Sequence, residues 1–504
     1  MSQVRRQSIV STIFVYGGFL IGFVNTYLFT RQGSVFTPEE YGLTGIFIAV
    51  GNLMFAFANL GMVAVVYKFY PYYNDNLPKK QNDLLTWTLL ISMLGFLFVV
   101  LAGLVFKDLV IRKFGGNSPL FLQYYRWIFP FGFSILLFSV FEVFAWQIRE
   151  SIFTTFLREV LFKLLTLLLI FLLSFHFLAD FDDFIKLYAA TYGITAIILL
   201  GYLIWKRAIY LTFSISRVTK KFYKKMASMA VLVYFGGAIF MIATFIDSIV
   251  IMSLLGMAEA GTFLLGSVVA GLVQAPQKGA IAAAIPVLSK AWKDKDIPKI
   301  TLIYQRSGIN LLIASLGIFL LLWLNYEDIV INFKLKAAYL DSLWIFFFLG
   351  LARVIDLGTG VNAQIIGTSV FWRFEFISGV ILFSLAIPLN YFLVKEFGII
   401  GAGYSTLLSY SVYNIIRIGF LKRKFNMHPF TIKTVYAILL AFVSFSICYF
   451  AFRSLHGFFA IVLRTSVFSA LYGGAIIYFD LTPDVLPVWD NVKNRVYKKR
   501  NSSL

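Results

Sequence analysis

Residues 84–106 read LLTWTLLISMLGFLFVVLAGLVF, a run without a single charged side chain. As an α-helix rising 1.5 Å per residue it would reach about 34 Å, enough to cross the roughly 30 Å hydrocarbon core of a bilayer. A strand of a membrane barrel needs only about 10 residues and alternates apolar with polar positions, which this run does not. Similar runs fill the chain on either side. Towards the N-terminus, spans are expected at about 8–29 and 42–67; on the other side they follow at 127–147, 157–178 and 184–205. After a basic stretch come 229–255, 259–289, 307–325, 339–364, 372–394, 399–421, 433–453 and 459–480. The expected fold is an all-α polytopic membrane protein of fourteen helices.

Composition agrees. Of 504 residues, 60% are hydrophobic and only 13% charged, with a mean hydropathy of +0.83. A soluble fold, usually about 45–50% apolar and 25% charged, could not cover this much apolar surface. Soluble enzymes, disordered chains and nucleic-acid binders are therefore set aside, although the net charge of +20 alone would suggest the last of these. Cys448 is the only cysteine, so no internal disulfide framework exists. With His176, His428 and His456 it makes no credible zinc or haem ligand set, and no metal or organic cofactor is expected.

Orientation follows from the basic residues, which favour cytoplasmic loops. An even number of spans places both termini on one side. With the termini inside, roughly 30 of the 44 Lys and Arg are cytoplasmic and about 11 external, and Lys278, Arg353 and Arg417 lie in the bilayer. The first span is too long for a signal-peptide core and reads as uncleaved. Trp87, Trp146, Trp205, Trp292, Trp323, Trp344 and Trp372 fall near span ends, as an interfacial belt requires. The bacterial cytoplasmic membrane, with N- and C-termini inside, is the expected location.

The segment 206–228, with Lys206, Arg207, Arg217, Lys220, Lys221, Lys224 and Lys225, divides the chain. Residues 1–205 form an N-lobe of six helices, 206–228 a cytoplasmic linker facing anionic lipid, and 229–421 a C-lobe of six helices. Residues 422–504 carry two further helices and a basic tail. A shift of 219 residues lays Gly17-Gly18 on Gly236-Gly237, Glu40 on Glu259, and Gly42 on Gly261. This gapless match points to duplication, with lobes of the same topology related by an axis along the membrane normal.

Several stretches resemble one family. Pro38-Glu39-Glu40-Tyr41-Gly42, followed by a helix ending in Asn59-Leu60-Gly61, is similar to the first hairpin of bacterial polysaccharide flippases of the O-antigen type. Gln274-Ala275-Pro276 through Ile285-Pro286-Val287-Leu288-Ser289 is similar to their eighth helix. Asn390-Tyr391, Phe397-Gly398-Ile399-Ile400-Gly401-Ala402-Gly403 and Thr406-Leu407-Leu408-Ser409-Tyr410 resemble their helix 11–12 hairpin. The family belongs to the multidrug/oligosaccharidyl-lipid/polysaccharide exporter superfamily. The resemblance implies two six-helix lobes, alternating access and a lipid-linked glycan substrate. It also accommodates the two extra C-terminal helices, which in related lipid II flippases help form a groove for the lipid tail.

A charge deep in a span costs about 2.5–3.5 kcal/mol on insertion scales and is a functional candidate by default. Lys278 shares a helix face with Gln274, and the 219 shift lays it on Asn59. Lys278, Gln274 and Asn59 are thus candidates for substrate binding, a cation and amide donors suiting a lipid pyrophosphate. Arg353 could present donors to a phosphate or sugar, or could pair with Asp356 at i, i+3. Arg31, near the outer face, is a candidate lining the exit. Asp247 has no Lys or Arg at helical spacing, and with Asp356 it is a candidate for the coupling ion, Na⁺ or a proton; a protonated structural role or a pair with Arg31 are the alternatives for Asp247. Glu142 and Arg417, nearer the cytoplasmic ends, suit structural ion pairs. Small residues (Gly18, Gly22, Gly398, Gly401, Gly403) permit close helix packing, and Pro130, Pro276, Pro286 and Pro388 interrupt or kink their helices.

The expected function is translocation of an undecaprenyl-pyrophosphate-linked oligosaccharide from inner to outer leaflet. Membrane lipids are its solvent and other polysaccharide-assembly proteins its candidate partners. Three rivals stand beside it. A lipid II flippase would use the same cavity logic. A drug/cation exporter would want acids in the first three helices, which carry none internally. A polymerase or acyltransferase would want a large external loop or a central histidine.

Overall fold

The computed structural model describes residues 3–482, leaving aside the side chains of residues 3–9, Thr12, Leu232, Lys278, Ala282, Ala283 and Pro286. The basic tail beyond 482 lies outside the described residues. Among these there is no sheet; helices account for nearly everything. They fall into two compact units, one up to Leu264 and one from Leu265 onwards. This division lies past the basic segment 206–228, because the helix that begins at Arg217 packs within the first unit.

The first unit contains α1 (Gln3–Thr30), α2 (Pro38–Ala58), α3 (Met62–Asn76), α4 (Leu84–Val105), α5 (Lys107–Phe114), α6 (Pro119–Gln123) and α7 (Ile128–Gln147). It continues with α8 (Ser151–Thr155), a π-helical segment (Phe156–Leu161), α9 (Phe162–Ser174), α10 (Phe181–Trp205) and α11 (Arg217–Leu254). α12 (Met257–Val273) crosses the division. The second unit holds α13 (Ala275–Lys293), α14 (Ile297–Asn332), α15 (Ser342–Gly358), α16 (Asn362–Thr368), α17 (Trp372–Phe397), α18 (Ile399–Phe425), α19 (Ile432–Phe452) and α20 (Phe458–Tyr478).

Every expected span is helical. Among the described residues, eleven helices are long and apolar enough to cross a membrane, or twelve if the bent pair α12–α13 is one span. Fourteen is therefore an approximate count. The two expected spans outside this set carry the polar load. One is α8–π–α9, with Arg158, Glu159 and Lys163; the other is α18, with Asn414 and Arg417. The chain is a multi-pass membrane protein.

Helix starts follow local chemistry. Thr37 and Glu40 form a reciprocal capping box on α2, with Pro38 at its first turn. The side chains of Asp180, Ser216 and Asp296 accept from backbone N–H groups at the starts of α10, α11 and α14. Asp83, fully buried, accepts from Trp87 Nε1, from Ser216 N and from Thr219 Oγ1, and so ties the start of α11 to that of α4.

Interior breaks are as informative as the starts. The expected helix 42–67 is divided at Asn59-Leu60-Gly61, where Leu60 and Gly61 take positive φ. At Gly61 (φ 75°) a Cβ would stand 2.2 Å from the Ala230 carbonyl oxygen, so only glycine lets α3 start against α11. The expected helix 339–364 is divided at Thr359-Gly360-Val361, and the helix over 259–289 bends by 43° near Gln274. Pro276 sits in the first turn of α13, after that bend, where a proline costs little; Pro388 lies inside α17. Pro286 lies outside the described side chains.

Packing in lipid gains little from the hydrophobic effect and relies on close contact. In the first unit a stacked aromatic core joins Phe131, Tyr188 and Phe184, with ring centroids 5.6 and 5.9 Å apart. Gly18 lets α1 approach the π-helical segment, because a Cβ there would be 2.3 Å from the Glu159 carbonyl oxygen. Gly42 and Gly261 bring α2 against α12, and Leu264 fills the space beside Gly45. In the second unit α14, α19 and α20 share a core that includes Ile309, Leu324, Ala441, Cys448, Phe468 and Tyr472.

Candidate functional site

The richest polar construction in the second unit is built around the break between α15 and α16. Breaking a helix frees backbone groups, which must find partners inside the protein. Here Thr359 Oγ1 donates to the Asp356 carbonyl at 2.7 Å, and Asn362, one residue past the break, donates to Thr359 Oγ1 at 2.8 Å and to Asn414 Oδ1 at 2.9 Å. Asn414 on α18 in turn donates to Asp356 Oδ1 at 3.0 Å. From the other side Gln277 donates to Asp356 Oδ2 at 3.3 Å, and Gln274 donates to Gln277 Oε1 at 2.7 Å.

The chain continues into α17. Arg417 is 3% exposed and is held on every side. It pairs with Glu375, donates through Nε to Ser378 Oγ at 3.3 Å and through Nη1 to Asn362 Oδ1 at 3.4 Å, and lies 3.7 Å over the Tyr413 ring. One amide and hydroxyl network thus connects Gln274, Asp356 and Arg417 across α13, α15, α16, α17 and α18. Arg353 stands one turn before Asp356, its guanidinium 5.1 Å over the Tyr410 ring. It is about 16 Å along α15 from Ser342, well inside the helix.

The other expected site residues are distributed as follows. Lys278 is on α13, and its side chain lies outside the described residues. Asn59 terminates α2 and directs its amide at the Phe55 and Ala56 carbonyls, so this donor is used in capping. Arg31 follows α1 directly, half-buried, and its Nε has no hydrogen-bond partner among the described residues. Asp247 is half-buried on α11. Asn59, Arg31 and Asp247 belong to the first unit; Gln274, Arg353 and Asp356 belong to the second.

Structural pairing of Glu142 and Arg417 is what the structure contains. Glu142 meets Arg158 at 2.5 Å, and Arg417 meets Glu375. Their partners are charged residues in the first turn of expected spans, Arg158 at the start of 157–178 and Glu375 at the start of 372–394, each beside other charges (Glu159, Arg373). Arg158 and Glu159 lie on the π-helical segment, a rare geometry enriched at functional sites. Glu159 pairs with Lys163 at 3.2 Å, and Lys163 lies 5.4 Å from the Phe19 ring centroid on α1. Asp180, Asp182 and Asp183 bring carboxylates within 4.8 Å of one another. These are engaged in capping α10 and pairing with Lys186.

No family model matches the chain, and no curated protein matches it by sequence. Its fold is nevertheless that of known solved structures. The lipid II flippase MurJ, in an inward closed conformation, superposes with a TM-score of 0.71 at 16% identity, over 94% of this chain and 99% of MurJ. An inward-facing MATE-family multidrug resistance transporter of the MOP superfamily gives 0.64 at 15% identity, over 81% of this chain and 94% of its own. A MOP superfamily transporter from Pyrococcus furiosus gives 0.58 at 14% identity, over 84% and 95%. The fold class is that shared by MurJ and the MATE transporters.

Proposed function

We propose that the chain is a MOP-type flippase. It takes an undecaprenyl-pyrophosphate-linked oligosaccharide from the inner to the outer leaflet of the bacterial cytoplasmic membrane, by alternating access coupled to a Na⁺ or proton gradient. The observation that carries this reading is the network from Gln274 through Asp356 and Asn414 to Arg417. Polar side chains at a helix break inside an apolar bundle are costly unless they are used, and transporters place binding and coupling sites at such breaks.

In this reading Gln274, Arg353 and Lys278, in the second unit, present donors and positive charge to the pyrophosphate or sugar; Arg31, in the first unit, is a separate contact for the cargo. Asp356, already an acceptor for two amides, and Asp247 are the groups that exchange the driving cation. No covalent step is involved; the work is done by differential affinity of two conformations for cargo and ion.

A lipid II flippase is the second reading. It is favoured by the extent of the likeness to MurJ, 94% of this chain against 81% for the MATE structure. A multidrug or cation antiporter is the third. Proteoliposomes loaded with labelled lipid-linked oligosaccharide or with labelled lipid II distinguish the first two. Protection in a dye-efflux assay tests the third. Transport of neither lipid would sink the flippase reading.

A further inference from the structure

A second polar construction lies at the other end of the second unit, where α14 ends, α19 ends and α20 begins. A cavity of about 380 Å³ opens there, walled by Trp323 and Tyr449 and lined by the polar side chains of Glu327, Arg453 and His456. Its floor is an ion pair that is already complete. Arg464 and Asp328, 6% and 5% exposed, pair with each other. Arg464 also donates to the carbonyls of Leu324, Phe452 and Leu455, at 3.3, 3.0 and 2.6 Å. Asp328 accepts from Gly457 N at 3.2 Å, and His456 Nδ1 is 3.5 Å from its Oδ1.

The floor therefore adds little net charge, and the rim decides what fits. Glu327 and Arg453 are exposed, and neither makes an ion pair among the described residues. The rim thus offers one carboxylate, one guanidinium and one imidazole around a space the size of a small polar group. Phe442 and Phe450 on α19 and Phe458 and Phe459 on α20 are exposed, leaving apolar surface on the two helices that also carry Tyr449, Arg453 and Arg464. Indole and phenol rings at such a level are typical of the membrane interface.

We propose that this cavity holds the head group of a zwitterionic phospholipid. Its phosphate lies against Arg453 and His456, its amine against Glu327, and its acyl chains along the apolar surface of α19 and α20. In the orientation expected from the basic residues, this is an outer-leaflet site. A purely anionic lipid would leave Glu327 facing a phosphate, and a soluble amphoteric ion would leave the phenylalanines uncovered. The inference stands apart from the identity of the transported cargo.

Native mass spectrometry of the purified full chain tests it, with phosphatidylethanolamine, phosphatidylglycerol and soluble phosphoethanolamine as probes. Phosphatidylethanolamine should be retained about tenfold more tightly than phosphatidylglycerol. Glu327→Gln should remove that preference, and Arg453→Gln should weaken both lipids by a similar factor. Both residues are exposed, so the thermal transition of each variant should match the parent. Equal retention of the two lipids by the parent protein would overturn the proposal. So would an intact preference in Glu327→Gln, or binding of phosphoethanolamine as tight as that of the lipid.

Discussion

Gly42 and Gly261 lie against each other where α2 and α12 begin, and they do so reciprocally. A Cβ on Gly42 would stand 2.3 Å from the Met257 carbonyl oxygen, and one on Gly261 would stand 2.2 Å from that of Pro38. Pro38 and Met257 are each the first residue of their helix, and both pairs are separated by the 219-residue offset of the internal repeat. The repeat thus meets itself across a local pseudo-two-fold contact.

Either Gly42→Ala or Gly261→Ala should destabilise the protein by about 1–3 kcal/mol, the usual range for overpacking. Because one separation of α2 from α12 relieves both clashes, the double variant should lose less than the two singles combined. Thermal unfolding of the purified variants measures this, and additive losses would deny a shared contact.

Glu375→Gln should be severe. It leaves the Arg417 guanidinium, 3% exposed, without its counter-charge; breaking a fully buried pair costs about 3–5 kcal/mol, and with Glu375 31% exposed the loss should fall near or below the lower end of that range. Replacing both partners by methionine should recover much of that loss. Equal instability of the single and the double variant would show that the hydrogen bonds to Ser378 and Asn362, and not the ion pair, hold this part of α18.

Asp356→Asn removes the charge and keeps only one of the two acceptor oxygens, so either Gln277 or Asn414 then faces an amide N–H instead. One amide left without its acceptor should cost about 1–3 kcal/mol of stability. Transport in proteoliposomes should lose at least about tenfold of its dependence on an imposed Na⁺ or proton gradient, a difference of about 1.4 kcal/mol in coupling. Unchanged gradient dependence in both Asp356→Asn and Asp247→Asn would remove the two carboxylates from the coupling mechanism.

Lys278→Ala and Arg353→Ala test the cationic contribution to cargo binding. Each should reduce transport of labelled lipid-linked oligosaccharide by about tenfold or more, as loss of a charge-assisted contact predicts. Arg353→Ala also removes a cation–π contact with Tyr410, so Arg353→Lys is the useful companion. Full transport by both alanine variants would refute the cationic reading.

Much of the fold was legible because span length and apolarity are local properties. The run 84–106 became α4 over Leu84–Val105, and 372–394 became α17 over Trp372–Phe397. The interruptions were less visible. Asn59-Leu60-Gly61 and Thr359-Gly360-Val361 sit inside apolar stretches, and the need for a left-handed glycine arises only from backbone approach by another helix. The polar network was half legible. Gln274, Arg353 and Asp356 stood out as unusual residues in spans. Their connectors, Gln277, Asn362 and Asn414, are ordinary amides whose roles depend on which helices become neighbours. The pairs Glu142–Arg158, Glu375–Arg417 and Asp328–Arg464 join residues separated by long stretches of chain, a distance that no periodicity encodes.

The connection between α17 and α18 carries a consequence for biogenesis. A single residue, Gly398 at φ 61°, links them, so the two helices form a tight hairpin. Taken alone, α18 would carry Arg417 into lipid at a cost of about 2.5–3.5 kcal/mol, without the apolarity to offset it. Its counter-charge, Glu375, arrives on α17, which is synthesised first. The hairpin, rather than either helix, is then the unit that leaves the translocation channel, and the ribosome must finish Arg417 before α17 can settle with its acid neutralised.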